Sequence, residues 1–310
     1  MKCKWSATCR VPRWRRRRVL KAATSTPVRP RRKKALGQHH LRAGSLCRPL
    51  LDFLFSAGSP AGLVIEIGPG GGVLTAELLA AGAEVLALEI DPEWAAALRV
   101  RLPSERLSVK VGDVLDFDWS VLPAGTLVCG NLPYQLGTAI VDQVLRAYPQ
   151  VERAAFLLQR EVADRLVAAP GDPEFGSLSL LTQARAEVRR LGVVRPGSFV
   201  PPPKVDSAFV GFRLHEPPLP EDEMPNFERL LRAAFRQRRK TLVNSLTSSF
   251  SRNAVEGSLT KLGHGPRTRG EALALEDFLE LHRALAGGGE PAAAAVPGGI
   301  LSASGNPEQS

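Results

Sequence analysis

Cysteine is scarce in this chain, and long hydrophobic runs are absent. The four cysteines (Cys3, Cys9, Cys47 and Cys129) among 310 residues form no CxxC pair and are too few for a disulfide framework. Such cysteine use is typical of a protein in a reducing, intracellular setting. No apolar run approaches the roughly 20 residues that a membrane-spanning helix needs. We therefore expect neither a disulfide-stapled scaffold nor a membrane protein.

Acidic residues are missing from the first 51 positions, which hold 16 of the 41 Lys and Arg residues. The rest of the chain has 25 basic and 31 acidic residues, so the net charge of +10 arises in this segment. Its Pro and Arg content without apolar periodicity predicts a disordered basic arm over 1–34. Three interpretations stay open for the arm: an RNA tether, an organelle-targeting segment, or an extension without function. We expect a cytoplasmic protein, or an organellar one if the arm is a targeting segment.

The low-complexity tail at 287–310 is predicted to be disordered. Between the arm and this tail, the apolar residues show two successive patterns. Apolar strand-like runs alternate with helical patterns over 35–215, which is typical of an α/β domain with a parallel sheet covered on both faces. Helical patterns alone follow over 216–286, which predicts a small helical domain. The predicted strands are 62–68, 84–90, 107–113, 125–131, 153–159 and an antiparallel pair at 186–194 and 206–214. The predicted helices are 73–82, 93–102, 136–147, 160–169, 226–240 and 271–285.

Polar residues and glycines mark the ends of four predicted strands. "EIGPGGG" places Glu66, Gly68, Gly70 and Gly72 between a strand and a helix, where glycines permit a tight turn and close approach of a ligand. Glu89, Asp113 and Asn131 close the next three strands. Ligands of open α/β sheets bind at this edge, which predicts a nucleoside-containing cofactor. The glycine spacing fits a GxGxxG dinucleotide fingerprint poorly and favours S-adenosylmethionine over NAD.

The stretch "NLPY", from Asn131 to Tyr134, is either an ordinary strand-to-helix turn or a site for an adenine amine. The amine is a weak nucleophile, and its methylation requires acceptors for its two N–H groups and alignment with the methyl donor. The side-chain oxygen of Asn131 and the carbonyl of Leu132 are suitable acceptors. Pro133 fixes the backbone next to that carbonyl, and Tyr134 offers a face on which a flipped-out base can stack.

These motifs together resemble the KsgA family of small-subunit ribosomal RNA adenine dimethyltransferases. The resemblance spans about residues 33 to 285. It implies a Rossmann-like class I S-adenosylmethionine-dependent methyltransferase sheet with a small all-helical C-terminal domain. It also implies dimethylation of two adjacent adenines near the 3′ end of small-subunit rRNA, linked to assembly of that subunit. The matching motifs are "KKALGQHHL", "EIGPGGGVLT", "EID", "GD" at 112–113, "GNLPY", "FVPPPKVDSAF" and "FRQRRKTLVNSL".

The resemblance implies a role for individual residues. Gly68 would approach the methionine part of the donor, Glu89 its ribose and Asp113 its adenine, with Glu66 and Gly70 in the same motif. Asn131 would serve both donor and target, and Tyr134 and Phe199 would sandwich the target adenine. The family usually reads GQNFL, whose Asn and Leu positions contact the donor. This chain has His39 and Leu41 there, with His40 between them. The paired histidines make a poor metal cage, and we expect no metal.

The segment "FERLLRAAFRQRRKTLVNSL" predicts one amphipathic helix with a basic face. Arg232, Arg236, Arg239 and Lys240 lie mostly on this face. Because the chain beyond the arm is net acidic, we interpret this cluster as a grip on RNA backbone rather than an ordinary solvated face.

Three other functions stay open at this stage. A large-subunit rRNA adenine methyltransferase of the antibiotic-resistance type would share the fold, but the two C-terminal motifs argue against it. A non-catalytic RNA-binding assembly factor would be favoured by loss of NLPY or of the acidic residues, all of which are present. A DNA methyltransferase would need a target-recognition domain that is not visible. We expect a monomer that acts on a small ribosomal subunit precursor.

Overall fold

The computed structural model describes residues 39–56, 58 and 62–286. The predicted arm and tail lie outside the described residues. No described helix has both the length and the apolar character to cross a membrane. The strands are β1 (His40–Leu41), β2 (Leu63–Ile67), β3 (Glu84–Glu89), β4 (Leu107–Val111), β5 (Thr126–Asn131), β6 (Val151–Gln159), β7 (Ala186–Val194), β8 (Phe199–Val200) and β9 (Ser207–Leu214). The helices are α1 (Arg48–Leu54), α2 (Val73–Ala80), α3 (Pro92–Arg101), α4 (Gly137–Leu145), α5 (Arg160–Val167), α6 (Ser177–Gln183), α7 (Met224–Phe235), α8 (Leu242–Leu246), α9 (Arg252–Lys261) and α10 (Leu275–Ala286).

Seven strands form one mixed sheet in the order β4-β3-β2-β5-β6-β9-β7. The strands from β2 to β6 run parallel, and β9 pairs antiparallel with both β6 and β7. The prediction of a parallel sheet with an antiparallel pair of late strands is confirmed. Because β3 and β5 flank β2, the polar residues that close these strands lie side by side at one edge of the sheet.

Apolar cores lie on both faces of the sheet. Ile65, Val128 and Phe156 belong to one core, which also contains buried residues of α4 and α5. Leu50 of α1 and Leu78 of α2 belong to the core that contains Val64. Residues of successive strand positions therefore point to opposite helical layers, which accounts for the nearly continuous apolar runs of the parallel strands.

A third core joins the C-terminal helices to α6, a helix that the sequence did not predict. Leu180 and Leu181 of α6 pack in one cluster with Phe227 and Phe278. Arg185 also donates two hydrogen bonds, of 2.8 and 3.0 Å, to the Glu221 carboxylate. Apolar packing therefore crosses the predicted domain boundary near residue 215, and the division into two domains stays a prediction.

The predicted helix over 226–240 is wrong in its last five residues. Helix α7 ends at Phe235, residues 236–240 form a turn, and Leu242 begins α8. The Thr241 side chain accepts a hydrogen bond from the backbone N–H of Asn244 at 3.3 Å and so caps the new helix. Of the predicted RNA-binding residues, Arg232 alone lies on α7. The other three project from the turn.

Candidate active site

The glycine-rich turn after β2 presents open backbone at the edge of the sheet. Gly68, Gly70 and Gly72 have φ values of 64°, 47° and 78°, a left-handed conformation that favours glycine. A Cβ placed on Gly68 would meet no atom within 4 Å, whereas one on Gly72 would meet Leu98 of α3 at 2.7 Å. Gly72 therefore serves helix packing, and Gly68 leaves room for a ligand to approach the main chain.

Glu89 connects this turn to the end of β3. The residue is only 3% exposed. Its two carboxylate oxygens accept hydrogen bonds from Gly70 N at 3.1 Å and from Asp91 N at 3.0 Å. Burial raises the pKa of Glu89, and the two backbone N–H donors oppose that shift. The carboxylate is thus held in a fixed orientation beside the open glycine turn.

Glu66 lies one strand away and is 2% exposed. Burial, together with the nearby Glu89 carboxylate, raises the pKa of Glu66 to about 8, so the group carries its proton at neutral pH. Hydrogen bonds from Thr75 on α2 oppose this shift only in part. A buried neutral acid offers little surface to a ligand, and a direct contact of Glu66 with a cofactor stays a prediction.

The raised pKa of Glu66 predicts a pH-dependent stability. In the unfolded chain this carboxyl ionises near its ordinary value of 4.5, whereas the folded protein keeps the proton until about pH 8. Between these values the folded state binds more protons, so the free energy of unfolding falls as pH rises. We expect Glu66→Gln to remove this part of the fall. Urea unfolding at several pH values tests it, and an unchanged slope in the variant would contradict the assignment.

Asp113 lies two residues after the end of β4, and its side chain is half-buried. Its Oδ1 atom accepts a hydrogen bond from Leu115 N at 2.9 Å, which leaves the second oxygen available to a donor. Two apolar residues that the sequence analysis missed lie at the ends of the neighbouring strands β3 and β4: Ile90, which follows Glu89, is 46% exposed, and Val111, which pairs with Glu89, is 45% exposed. Exposed apolar residues next to Glu89 and Asp113 are suited to the faces of a planar heterocycle. The sequence could have identified them, because Ile90 directly follows Glu89 and Val111 lies two residues before Asp113.

The NLPY segment leaves β5 as a tightly held turn. Leu132 N donates to Leu157 O at 3.2 Å, and Leu136 N donates to Pro133 O at 3.0 Å. The Asn131 amide donates through Nδ2 to the main-chain oxygen of His39 at 2.6 Å. This bond fixes the amide so that Oδ1 is turned away from His39 and remains an acceptor. The Tyr134 hydroxyl lies 2.8 Å from Ser207 Oγ.

The two adjacent histidines serve different sides of the site. The His40 ring packs against the glycine turn, where Gly71 N donates to His40 Nδ1 at 3.4 Å, and its centroid lies 4.8 Å from that of Trp94. The His39 ring stacks instead on Tyr134. Leu41 is buried in the core. The structure thus places the His40 side chain, rather than that of His39, against the predicted cofactor turn, and the donor contacts of His39 and Leu41 stay predictions.

Phe199 is fully buried. It lies on β8, which pairs with β1 through Leu41, and belongs to the core with Leu50 and Phe209. A ring without exposed surface cannot stack on a base in this conformation. The predicted sandwich between Tyr134 and Phe199 stays a prediction, and it requires Phe199 to become accessible when RNA binds.

The basic turn after α7 borders a cavity of about 250 Å³. Arg236 and Lys240 line it together with Asn244 and Ser248. Arg232 lies on the preceding helix with its side chain 49% exposed, 3.9 Å from Glu228. Within the described part of the chain, no group of three or more His, Cys, Asp or Glu side chains is placed to hold a metal ion.

Comparison with known sequences gives matches over both the sheet and the C-terminal helices. The sequence profile of the family described as "Ribosomal RNA adenine dimethylase" matches residues 30–286. "Ribosomal RNA small subunit methyltransferase A" of Syntrophotalea carbinolica is 40% identical over 258 residues, which cover 81% of this chain and 96% of that protein. The protein of the same name from Thermosynechococcus vestitus is 38% identical over 262 residues, with 82% and 97% covered.

Two solved structures are similar over about the same length. A dimethyladenosine transferase from Plasmodium falciparum has a TM-score of 0.66 and 24% identity, with 78% of this chain and 96% of that chain covered. The 23S rRNA methyltransferase ErmE has a TM-score of 0.63 and 30% identity, with 79% and 99% covered. The first supports the fold alone. Together they show a Rossmann-like methyltransferase sheet followed by a helical region.

Proposed function

This chain belongs to the ribosomal RNA adenine dimethylase family, and on that premise we propose that it dimethylates N6 of two adjacent adenines near the 3′ end of small-subunit rRNA. The donor is S-adenosylmethionine, and the RNA is presented in a small-subunit precursor as part of its assembly. The observation that carries the proposal is the orientation of Asn131, whose amide oxygen is left to accept while its nitrogen is held by His39.

The residues at the sheet edge fit the donor. The open main chain at Gly68 suits the approach of its methionine part, and the fixed Glu89 carboxylate suits the ribose hydroxyls. Asp113 has an oxygen for the exocyclic amine of the donor's adenine, and Ile90 and Val111 offer apolar surface to that ring. S-Adenosylmethionine, when bound, supplies an electrophilic methyl group on a sulfonium.

The residues of the NLPY turn prepare the target amine. Asn131 Oδ1 and the Leu132 carbonyl accept its two N–H groups, which localises the nitrogen lone pair away from the ring. Pro133 limits the backbone freedom of Leu132 and so keeps its carbonyl in place. Tyr134 stacks on the adenine that has left the RNA helix. After transfer, the amine releases a proton to water, and a general base of perturbed pKa is not required.

Small-subunit RNA is favoured over large-subunit RNA as the target. The relatives named as small-subunit methyltransferases are 38% and 40% identical to this chain, whereas the 23S rRNA methyltransferase ErmE is 30% identical. The site geometry alone does not separate the two targets, because both require an extruded adenine.

Labelled S-adenosylmethionine and small ribosomal subunits that lack dimethyladenosine test the proposal. Free large-subunit RNA and duplex DNA serve as control substrates, and nucleoside mass spectrometry is the readout. We expect N6,N6-dimethyladenosine in the small-subunit RNA alone. Methylation of large-subunit RNA would assign the chain to the resistance-type relatives. Subunit binding without methylation would favour a non-catalytic assembly factor.

We infer that the basic turn contacts RNA phosphates, since Arg236 and Lys240 line one cavity and Arg239 lies between them in the chain. Replacing Arg236 or Arg239 by alanine is expected to weaken subunit binding and to reduce the slope of log Kd against log salt by about 1 each. Arg48→Ala is the matched control, because Arg48 is exposed on α1 and its ion pair is with Asp52 at 3.6 Å. An unchanged salt slope in the Arg236 and Arg239 variants would remove the turn from the RNA interface.

A further inference from the structure

One face of the Tyr134 ring is covered by another residue of the chain. The His39 imidazole stacks on it with a centroid separation of 5.3 Å and an angle of 25° between the ring planes. A base inserted between two rings needs about 7 Å, twice the contact distance of stacked carbon atoms. No base therefore fits between His39 and Tyr134 in this conformation.

His39 also makes two hydrogen bonds, one through its ring and one through its main-chain oxygen. Its Nδ1 atom lies 2.9 Å from Pro201 O, and because a carbonyl oxygen can only accept, Nδ1 is the donor. Its own main-chain oxygen accepts the bond from Asn131 Nδ2. His39 thus contacts both Tyr134, through its ring, and Asn131, through its main-chain oxygen. The proposed function assigns base stacking to Tyr134 and amine binding to Asn131.

We propose that the His39 ring occupies the stacking position of the target adenine on Tyr134 and leaves it only when the flipped-out base takes its place. This role rests on the proposed function and assigns His39 to the substrate side of the site. The cofactor side is contacted by the neighbouring His40, whose ring packs on the glycine turn.

Displacement of the ring requires side-chain rotation rather than movement of the chain. Residues 40 and 41 pair with residues 200 and 199 in the β1–β8 ladder. Arg42 extends this attachment, since its N–H donates to Ser198 O at 2.9 Å and its Nε donates to Phe199 O at 3.1 Å. With the backbone held from residue 40 onwards, the imidazole can turn away while the His39 carbonyl keeps its bond to Asn131.

Competition with His39 lowers the apparent affinity of every base by the same factor, so a base needs hydrogen bonds in addition to stacking to occupy the site. An incoming base must offset the loss of the imidazole stack and of the bond to Pro201. A base with an exocyclic amine gains hydrogen bonds to Asn131 Oδ1 and the Leu132 carbonyl. A base with a carbonyl oxygen at that position, such as uracil, places an acceptor opposite two acceptors and forms no hydrogen bond there. Such a base gains stacking alone. The preference for adenine over uracil therefore comes from these two acceptors, and the covering ring adds the same cost for every base, which a base that gains stacking alone does not offset.

Fluorine NMR tests the proposal without methyl transfer, because the chain contains only two tyrosines, Tyr134 and Tyr148. In protein labelled with 3-fluorotyrosine, Tyr148→Phe assigns the two resonances. We expect His39→Ala to shift the Tyr134 resonance and leave that of Tyr148 in place. Titration with adenosine should then saturate the Tyr134 shift at an about 3- to 10-fold lower concentration than in the unmodified chain. Uridine should bind more weakly than adenosine by a similar ratio in both proteins, and His215→Ala is the matched exposed-histidine control.

Steady-state kinetics on unmethylated small subunits give the second readout. For His39→Ala we expect KM for the subunit to fall about 3- to 10-fold with kcat within about twofold, and for His39→Phe we expect KM to rise. A weaker adenosine response in His39→Ala, or a loss of S-adenosylmethionine affinity measured by calorimetry, would overturn the proposal. If the unmodified chain methylates no RNA, the proposed function fails, and the adenosine titration still decides the role of His39.

Discussion

Replacing Asn131 by alanine is expected to lower kcat on small subunits by about 100- to 1,000-fold, the usual loss when one preorganised hydrogen-bonding group of a reacting centre is removed. The structure fixes the Asn131 amide through its bond to His39 O, so its oxygen needs no reorientation when an amine arrives. Alanine removes both the acceptor and the fixed geometry. Single-turnover methyl transfer, followed by nucleoside mass spectrometry, measures the loss.

A loss of folding would imitate this result, and two controls separate the effects. Asn253→Ala changes the same residue type at an exposed position of α9 and should keep full activity. The thermal midpoint of Asn131→Ala, and its affinity for small subunits, should remain close to those of the unmodified chain. Retained methyl transfer in folded Asn131→Ala would show that the Leu132 carbonyl alone prepares the amine.

Replacing Glu89 by glutamine is expected to impair both cofactor binding and folding, although the two side chains have nearly the same shape. Both oxygens of Glu89 accept backbone N–H bonds, from Gly70 and Asp91. In either orientation of the amide, one N–H group of the main chain faces an NH₂ group and loses its acceptor. An unsatisfied buried donor lowers the free energy of unfolding by about 1–3 kcal/mol. The displaced glycine turn should raise the Kd for S-adenosylmethionine at least about tenfold.

Glu66→Gln is the matched control for this substitution. Glu66 lies on the adjacent strand, is equally buried and carries its proton at neutral pH because its pKa is raised to about 8. Glutamine resembles that neutral acid, so at pH 7 we expect the free energy of unfolding to change by less than about 1 kcal/mol. Urea unfolding and calorimetry compare the two variants. Equal losses in both would mean that burial alone, and not the two backbone bonds, explains the sensitivity of Glu89.

The sequence was informative wherever local pattern and turn chemistry agree. Alternating apolar runs predicted the strands of the sheet, and the glycines after β2 predicted a turn that needs left-handed backbone at Gly68 and Gly70. Helices α1, α6, α8 and α9 were missed. Helices α1, α6 and α8 have at most 7 residues, and in α6 and α8 most side chains are buried, so their sequences carry little of the polar face that marks an amphipathic helix. The length of α7 was overestimated because the helical spacing of apolar residues continues through the turn at 236–240. The turn ends at Thr241, whose side chain caps α8.

By itself, the sequence determined the α/β class, the family resemblance and the set of polar residues at the strand ends, because these follow from local periodicity and motif order. Tertiary structure alone decided which of them meet. Strand order brings β3 and β5 to either side of β2, and the β1–β8 ladder sets His39 on Tyr134 while burying Phe199. The contacts of His39 with Tyr134 and of Leu41 with Phe199 join residues more than 90 positions apart, and no local propensity encodes them. They depend on how the cores pack, a property of the whole folded chain.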